Sequence, residues 1–305
     1  MCLHPRARFE TTRLMSLMKS IIAASQHASR PGFIKNLAAH CVCFYPRSDK
    51  LLVTFDHLGS LNIKDGRLPW GFGLAETLGW SHLGNLTKQN DWFRHKDMFA
   101  TYRNLRKKKF FESFDEVVFL GASMGGYAAC AFSVNSPGAR VVAFSPQSTL
   151  RRDIAPFESR FHSGRKLGDW TGPWVDGAHT IENASNVKLF YDPYFAGDAM
   201  QAARYHGDHI ERFKAPFMGH KLPSEFKAIG QFEPIALAAI QDDLSQATFH
   251  QLLRGRRRAP RHGLRVLKRA QKCGHSDLVA RVIANGTIPY SPDYIARMAR
   301  RLSIA

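Results

Sequence analysis

The sequence contains few cysteines, and their spacing matches neither a disulfide framework nor a zinc site. Five occur in 305 residues, namely Cys2, Cys41, Cys43, Cys130 and Cys273. An odd number without the paired C-x-x-C spacing of zinc ligands is typical of reduced, buried thiols. The protein is therefore predicted to be cytoplasmic and to bind no metal. No motif in the sequence indicates another cofactor.

Long hydrophobic runs are also missing. No run reaches the roughly 18 apolar residues that a membrane-spanning helix needs, so we expect no transmembrane segment. The apolar stretch near the N-terminus is interrupted by Lys19 and matches a secretory signal poorly. Its apolar residues have helical spacing, at Leu14, Leu17, Met18, Ile21 and Ile22. We expect residues 1–35 to form a separate segment with an amphipathic helix that docks on the body.

Acidic residues are scarce, with 25 Asp and Glu against 43 Lys and Arg, which gives a formal net charge of +18. Much of the excess lies after residue 250, where 13 basic residues face only Asp277 and Asp293. Residues 241–305 are thus predicted to be a basic helical tail. Such a tail can hold an anionic partner by Coulomb attraction, or it can simply be a solvated helical face.

Apolar runs typical of buried strands alternate with helical patterns through the middle of the chain. We predict strands within residues 41–45, 51–55, 116–120, 139–145, 186–191 and 209–217. This alternation favours an α/β fold with a mostly parallel central sheet covered by helices on both faces. Residues 36–240 would form this domain. Residues 147–182, which are rich in aromatics and lack a clear period, would form an inserted cap.

The segment "VVFLGASMGGYAACAFS", residues 117–133, places a serine between glycines. Gly121, Ser123 and Gly125 occupy the glycine and serine positions of the G-x-S-x-G nucleophile elbow. In that turn the serine has a strained backbone, so the positions two before and two after it must be small. A predicted strand before it and a small-residue helix after it fit the same turn. Ser123 is therefore the candidate nucleophile.

A nucleophilic serine needs a histidine base and an acid, each placed just after a strand. His220 in "FMGHKLP" follows the last predicted strand and is the candidate base. Two carboxylates follow the strand at residues 186–191, namely Asp192 and Asp198. We favour Asp198 as the triad acid, although its position before a helix also suits an N-cap. Asp192 is the alternative.

An oxyanion hole requires two backbone N–H groups aimed at the developing charge. Met124, directly after the serine, is expected to supply one, and Asp56 or His57, after the strand at 51–55, the other. In the predicted cap, Trp170 and Trp174 either line the substrate site or form the core of the cap.

Over roughly residues 40–235 these motifs resemble those of the α/β-hydrolase superfamily. The resemblance implies a mostly parallel sheet of eight strands or slightly fewer, and a serine nucleophile. Four segments, "GASMGGYAACAFS", "AFSPQSTL", "YDPYFAGDAM" and "GHKLPSEF", are similar to alphaproteobacterial proteins often labelled phosphoadenosine phosphosulfate reductase. Such a reductase uses an SGG-x-DS nucleotide loop and a C-terminal cysteine. The segment "GASMGG" lacks the acid of that loop, and Cys273 lacks the usual surroundings of that cysteine.

Three functions therefore follow from the sequence, in decreasing order. The first is a serine hydrolase or acyltransferase that acts on a small-molecule or glycan acyl substrate through a Ser-His-Asp triad. The second is a catalytically inactive binding or scaffold protein that uses its basic tail. The third is the reductase.

Overall fold

The computed structural model describes residues 30–62 and 67–284, together with the isolated positions Asp293 and Arg297. Its strands are β1 Phe33–Asn36, β2 His40–Tyr45, β3 Lys50–Phe55, β4 Ser81–Thr87, β5 Glu116–Ala122, β6 Arg140–Phe144, β7 Asn186–Tyr191 and β8 Ile210–Lys214. Its helices are α1 Phe72–Leu78, α2 Lys96–Lys107, α3 Met124–Ser133, α4 His162–Leu167, α5 Gly177–Thr180, α6 Ala196–Ala203, α7 Leu222–Ala228, α8 Phe232–Ile240, α9 Gln246–Leu252, α10 Pro260–Lys272 and α11 Ser276–Ala284. Short 3-10 helices occur at Leu58–Asn62, Phe111–Ser113, Ile181–Asn183 and Leu253–Arg258.

The eight strands form one sheet in the order β1-β2-β4-β3-β5-β6-β7-β8. Strand β2 is antiparallel to both of its neighbours, and the pairs from β4 through β8 are parallel. The predicted fold class, a mostly parallel sheet with helices around it, is confirmed. All six predicted strands are present.

Strands β1 and β4 were not predicted. Strand β4, "SHLGNLT", is hard to recognise from the sequence because two of its completely buried side chains, His82 and Asn85, are polar. Both polar side chains find partners on β3, since the His82 ring bonds Thr54 Oγ1 at 2.7 Å and Asn85 Nδ2 donates to the Thr54 carbonyl at 2.9 Å. Buried polar groups that are hydrogen-bonded are compatible with a central strand, but they remove the apolar pattern from which strands are recognised.

Two hydrophobic clusters cover the two faces of the sheet. One packs α2 and α3 on the sheet through residues such as Phe99, Tyr102 and Tyr127. The other packs α1, α7, α8 and α9 on the opposite face, with Phe226 and Phe249 at its centre. Helices on both faces are what a parallel sheet requires, because neither of its faces can be left to water.

The predicted segment boundaries cross elements of the structure. Strand β1 spans the boundary set at residues 35 and 36. The boundary at 240 falls inside the second cluster, because Leu244, Phe249 and Leu253 pack there with residues of β7 and β8. The amphipathic helix predicted at residues 14–22 lies outside the described residues. Within the described part of the chain, no helix is long and apolar enough to cross a bilayer.

The predicted cap, residues 147–182, connects β6 to β7 and carries the short helices α4 and α5. It is fastened to the sheet domain by Arg94, a side chain that is almost entirely buried. Arg94 Nε donates to the carbonyl of Asp169 at 2.9 Å, and Nη1 donates to the hydroxyl of Tyr127 on α3 at 3.2 Å. The cap is therefore joined to the helix that follows Ser123.

Candidate active site

The turn from β5 into α3 holds Ser123 in a backbone conformation that side chains rarely adopt, with φ 52° and ψ −118°. The flanking glycines make this turn possible. A Cβ on Gly121 would lie 2.0 Å from the carbonyl oxygen of Gly125, and a Cβ on Gly125 would lie 2.6 Å from that of Phe55. The small residues predicted around the serine are therefore required by backbone contact on both sides.

Ser123, His220 and Asp198 lie in one hydrogen-bonded relay. Ser123 Oγ is 2.8 Å from Nε2 of His220, and Nδ1 of His220 is 2.8 Å from Oδ2 of Asp198. With a carboxylate facing Nδ1, that nitrogen carries the proton and Nε2 is free to accept one. The arrangement can take a proton from the serine hydroxyl.

Two aromatic rings flank the imidazole of His220. The ring centroids of Phe161, from the cap, and of Phe195, just before α6, each lie 5.9 Å from the centroid of the imidazole. The His220 side chain keeps 19% of its surface exposed. The rings limit the rotation of the imidazole and leave its Nε2 edge directed at Ser123.

Asp198 is fully buried and has a second partner that the sequence did not reveal. Nη1 of Arg160, in the cap, donates to Oδ1 of Asp198 at 2.8 Å. Arg160 also forms a fork with Glu158, through contacts of 2.9 and 2.7 Å. Burial lowers the pKa of Arg160, but the bonds to Glu158 and Asp198 outweigh it and leave the pKa raised. Arg160 and Asp198 are 38 positions apart, so no local signal in the sequence could pair them.

Asp192, the alternative acid, binds backbone instead of the imidazole. Its Oδ1 accepts the N–H groups of Tyr194 at 2.9 Å and Phe217 at 3.0 Å, and its Oδ2 accepts that of Gly219 at 2.6 Å. Burial raises the pKa of Asp192, and these three N–H donors oppose the rise. Asp192 thus shapes residues 217–220, which we call the base loop because it ends at His220.

Of the three residues predicted for an oxyanion hole, Asp56 does not offer its N–H group. That N–H donates to the carbonyl of Asn85 at 3.0 Å, as part of the contact between β3 and β4. The carboxylate of Asp56 is buried and paired with Arg67. The backbone N–H groups of Met124 and His57 have no hydrogen-bond partner among the described residues. Asp56 is therefore corrected to a structural role, and Met124 and His57 remain the candidates.

Trp170 and Trp174 pack where the cap meets α2 and α3. The Trp170 ring lies 5.4 Å from that of Tyr127, and its Nε1 donates to the carbonyl of Gly164 at 3.1 Å. Trp174 packs 5.3 Å from Phe132, near the end of α3 remote from Ser123. Of the two alternatives, a packing role fits these contacts, at the junction of the cap and the sheet domain.

The C-terminal helix α10 packs against the base loop. Arg265 Nη1 donates to the carbonyl of Phe217 at 3.2 Å, and Nη2 donates to the buried Glu225 at 2.9 Å. A Cβ on Gly219 would lie 2.8 Å from the guanidinium of Arg265. Part of the predicted basic tail is therefore a neighbour of the candidate base, which the sequence did not indicate.

A cleft of about 560 Å³ opens between His57 and the start of α7. Its walls include Trp70, Leu74 and Phe232, and Lys227 lies at its edge. One wall thus contains His57, a candidate oxyanion residue. The other contains Pro223, which lies three residues after His220 in the chain.

No protein-family model matches this chain, and no curated protein matches it. Solved structures are similar at low sequence identity. The capsule O-acetyltransferase of Neisseria meningitidis serogroup A is 13% identical, with 72% of this chain and 98% of that one covered and a TM-score of 0.47. A hormone-sensitive lipase from a metagenome library is 15% identical over 79% and 98%, with a TM-score of 0.48. Est1E from Butyrivibrio proteoclasticus is 9% identical over 73% and 98%, with a TM-score of 0.42. Likeness at this level concerns the fold and carries no argument about activity.

Proposed function

We propose that this protein, which has the α/β-hydrolase fold, is an acyl-transfer enzyme that uses Ser123 as its nucleophile. One observation carries the proposal: the 2.8 Å contacts from Ser123 Oγ to His220 and from His220 to Asp198 meet at a serine in the elbow conformation. Packing alone requires neither the positive φ of Ser123 nor a half-buried imidazole beside its hydroxyl.

In the first half of the reaction, His220 Nε2 takes the hydroxyl proton while Ser123 Oγ attacks the carbonyl carbon of the substrate. The carbonyl π electrons move to oxygen, and the N–H groups of Met124 and His57 receive that negative charge. The carbonyl then re-forms, the bond to the leaving group breaks, and the imidazolium returns its proton to the leaving oxygen or sulfur. An ester on Ser123 and a free alcohol or thiol result.

In the second half, His220 takes a proton from water or from an acceptor hydroxyl, whose oxygen attacks the acyl-serine. Collapse restores the Ser123 hydroxyl and releases a carboxylic acid or a new ester. Asp198 keeps the imidazole in the required tautomer throughout and stabilises its charged form. The cleft beside His57 is the space we assign to the part of the substrate next to the reacting carbonyl. Small-molecule and glycan esters are both candidate substrates.

The two other functions inferred from the sequence receive less support. A decayed site would not need Asp198 within 2.8 Å of His220 and held by Arg160 on its other oxygen. The reductase would need Cys273 at a reaction centre, whereas that cysteine is exposed at the C-terminal end of α10.

Covalent labelling with a fluorophosphonate tests the proposal. We expect the wild type to be labelled on Ser123, and labelling to vanish in Ser123→Ala and in His220→Ala. Ser133→Ala, at the other end of α3, is the matched control, because among the described residues its hydroxyl bonds only the carbonyl of Cys130. A folded wild type that remains unlabelled, or a Ser123→Ala variant that is labelled as well as the wild type, would refute the proposal.

A further inference from the structure

A row of basic side chains lies on α10, the helix that packs against the base loop. On α10, Arg261, Arg265 and Arg269 follow one another at intervals of four residues and therefore share one face of the helix. Glu225 pairs with the first two, through contacts of 3.4 and 2.9 Å. Among the described residues, Arg269 has no carboxylate partner. Like charges at this spacing oppose helix formation, so the row is not explained by the stability of α10.

This row reaches the candidate site through two stacked rings. The guanidinium of Arg269 lies 5.9 Å from the ring centroid of Tyr194, which stacks on Phe217 with centroids 4.2 Å apart and planes at 5°. Phe217 opens the base loop, and the residue after Tyr194 is Phe195, whose ring faces His220. Tyr194 is 55% exposed and Phe195 is 37% exposed. Phe195 thus contacts the candidate base, and Arg269 is linked to the base loop through Tyr194 and Phe217.

A second unpaired cation lies at the N-cap of α7. Lys221 is exposed, directly follows His220, and has no ion pair within the part of the chain that the structure describes. Its charge reaches the candidate oxyanion loop, because it contributes to the lowered pKa of His57, for which burial is the larger cause. Positive charge also acts on His262 of α10. Its pKa is lowered to about 4, mainly by burial and then by Arg256 and Arg265.

We infer that the substrate carries negative charge, as a carboxylate, phosphate or sulfate in its leaving group or acceptor, and that Arg269 and Lys221 bind it. The inference rests on the proposed acyl-transfer function and names the substrate class of that site. Unpaired charges of one sign beside a site attract ligands of the opposite sign and accelerate their arrival. The aromatic faces of Tyr194 and Phe195 would hold the uncharged part of the same molecule.

A pair of matched esters tests the inference. 4-Acetoxybenzoate carries a carboxylate opposite the acetyl ester, and 4-acetoxybenzamide is its neutral analogue. We expect kcat/KM for the anion to exceed that for the amide by about tenfold or more at low salt. The ratio should fall towards one at about 1 M salt, where the Debye length is about 3 Å. The enzyme could be labelled by a fluorophosphonate and yet hydrolyse both esters slowly. In that case the ratio is taken between the labelling rates of an anionic and a neutral fluorophosphonate.

Variants locate the effect. In the double variant Lys221→Gln and Arg269→Gln, the low-salt ratio of kcat/KM for the anionic ester to that for the neutral ester should fall close to one. Because each variant's rate on the neutral ester is the denominator, a general loss of activity does not change the ratio. Arg281→Gln removes an exposed charge on α11 and should leave the ratio as in the wild type. A ratio near one in active wild type, or a ratio that the double variant leaves unchanged, overturns the inference while the acyl-transfer function stands. Absence of both turnover and Ser123 labelling overturns the function and the inference with it.

Discussion

Two aspartates six residues apart have different tasks at the base loop. Asp198 Oδ2 faces Nδ1 of His220, whereas Asp192 gathers the N–H groups of Phe217 and Gly219. Phe217 and Gly219 both have positive φ, of 62° and 71°. Such a turn costs a non-glycine residue energy, of the order of 1–3 kcal/mol. The charge-assisted bonds of Asp192 are one source of compensation.

Asp198→Asn and Asp192→Asn should therefore have different effects. We expect Asp198→Asn to lower the labelling rate of Ser123 by about 10³-fold to 10⁴-fold, because an amide no longer fixes the tautomer of His220 or stabilises its charged form. Asp192→Asn keeps an acceptor oxygen for the base loop but loses the charge, so it should mainly lower the melting temperature. Labelling rates and thermal unfolding of both variants provide the check. Equal losses of labelling would contradict the assignment of Asp198.

At this scale, the turn at Ser123 and the place of His220 could be predicted from local sequence. The glycines around Ser123 and the position of His220 after a strand are visible along the chain. Arg160 was missed because its ion pair joins the cap to Asp198, in the first turn of α6. Asp56 was misassigned because its backbone N–H is used by Asn85 on β4, a strand that the sequence did not reveal.

Among the elements, α10 is the one whose position differs most from the expectation of a separate tail. Its inner face meets the base loop through Arg265 and His262, with the His262 ring 6.1 Å from that of Phe217. No pattern in the sequence distinguishes this arrangement from a solvated basic helix. A contact with residues more than 40 positions earlier leaves no periodic signal.

The docking of α10 should weaken in mild acid. The pKa of His262 is lowered from 6.5 to about 4, first by burial and then by Arg256, Arg265 and Arg257. Between these two values the unfolded chain binds a proton that the native protein does not, so stability falls as the pH falls from about 6.5 to about 4. Above 6.5 the imidazole is neutral in both states and contributes no pH dependence.

His262→Gln removes this titration, so the loss of stability between pH 7 and pH 4.5 should be smaller in the variant than in the wild type. Urea unfolding at a series of pH values measures the difference, and the wild type minus variant comparison cancels the carboxylates common to both. Parallel curves for the two proteins would show that His262 is not buried at this contact.

Across the whole molecule, the fold was predictable because buried strands and helical patterns alternate in order. The limits of the domain were not. Phe249 and Leu253, inside the predicted tail, are completely buried beside Phe213 of β8. Leu267 and Val279 form a smaller cluster that joins α10 to α11. Of the C-terminal helices, α9 thus contributes to the main core of the sheet domain, whereas α10 and α11 share a small cluster of their own.

A chain shortened to residues 1–258 should retain the sheet but lose most of its activity. Without α10, the carbonyl of Phe217 loses Arg265 and the buried Glu225 loses both of its cations. A displacement of about 1 Å at His220 would lower the labelling rate of Ser123 by about 100-fold. A chain of residues 1–274 keeps α10 and is the control. Circular dichroism shows whether each chain is folded, and full labelling of the folded 1–258 chain would contradict the prediction.

The contact between Arg265 and the base loop also has a consequence for synthesis. The elbow at Ser123 leaves the ribosome 142 residues before Arg265 does. At about 5–20 residues per second, the interval is on the order of ten seconds. During that time a nascent chain can form the elbow and most of the sheet, but the base loop still lacks its last support. The base loop therefore reaches its final geometry only after Arg265 and the rest of α10 have been synthesised.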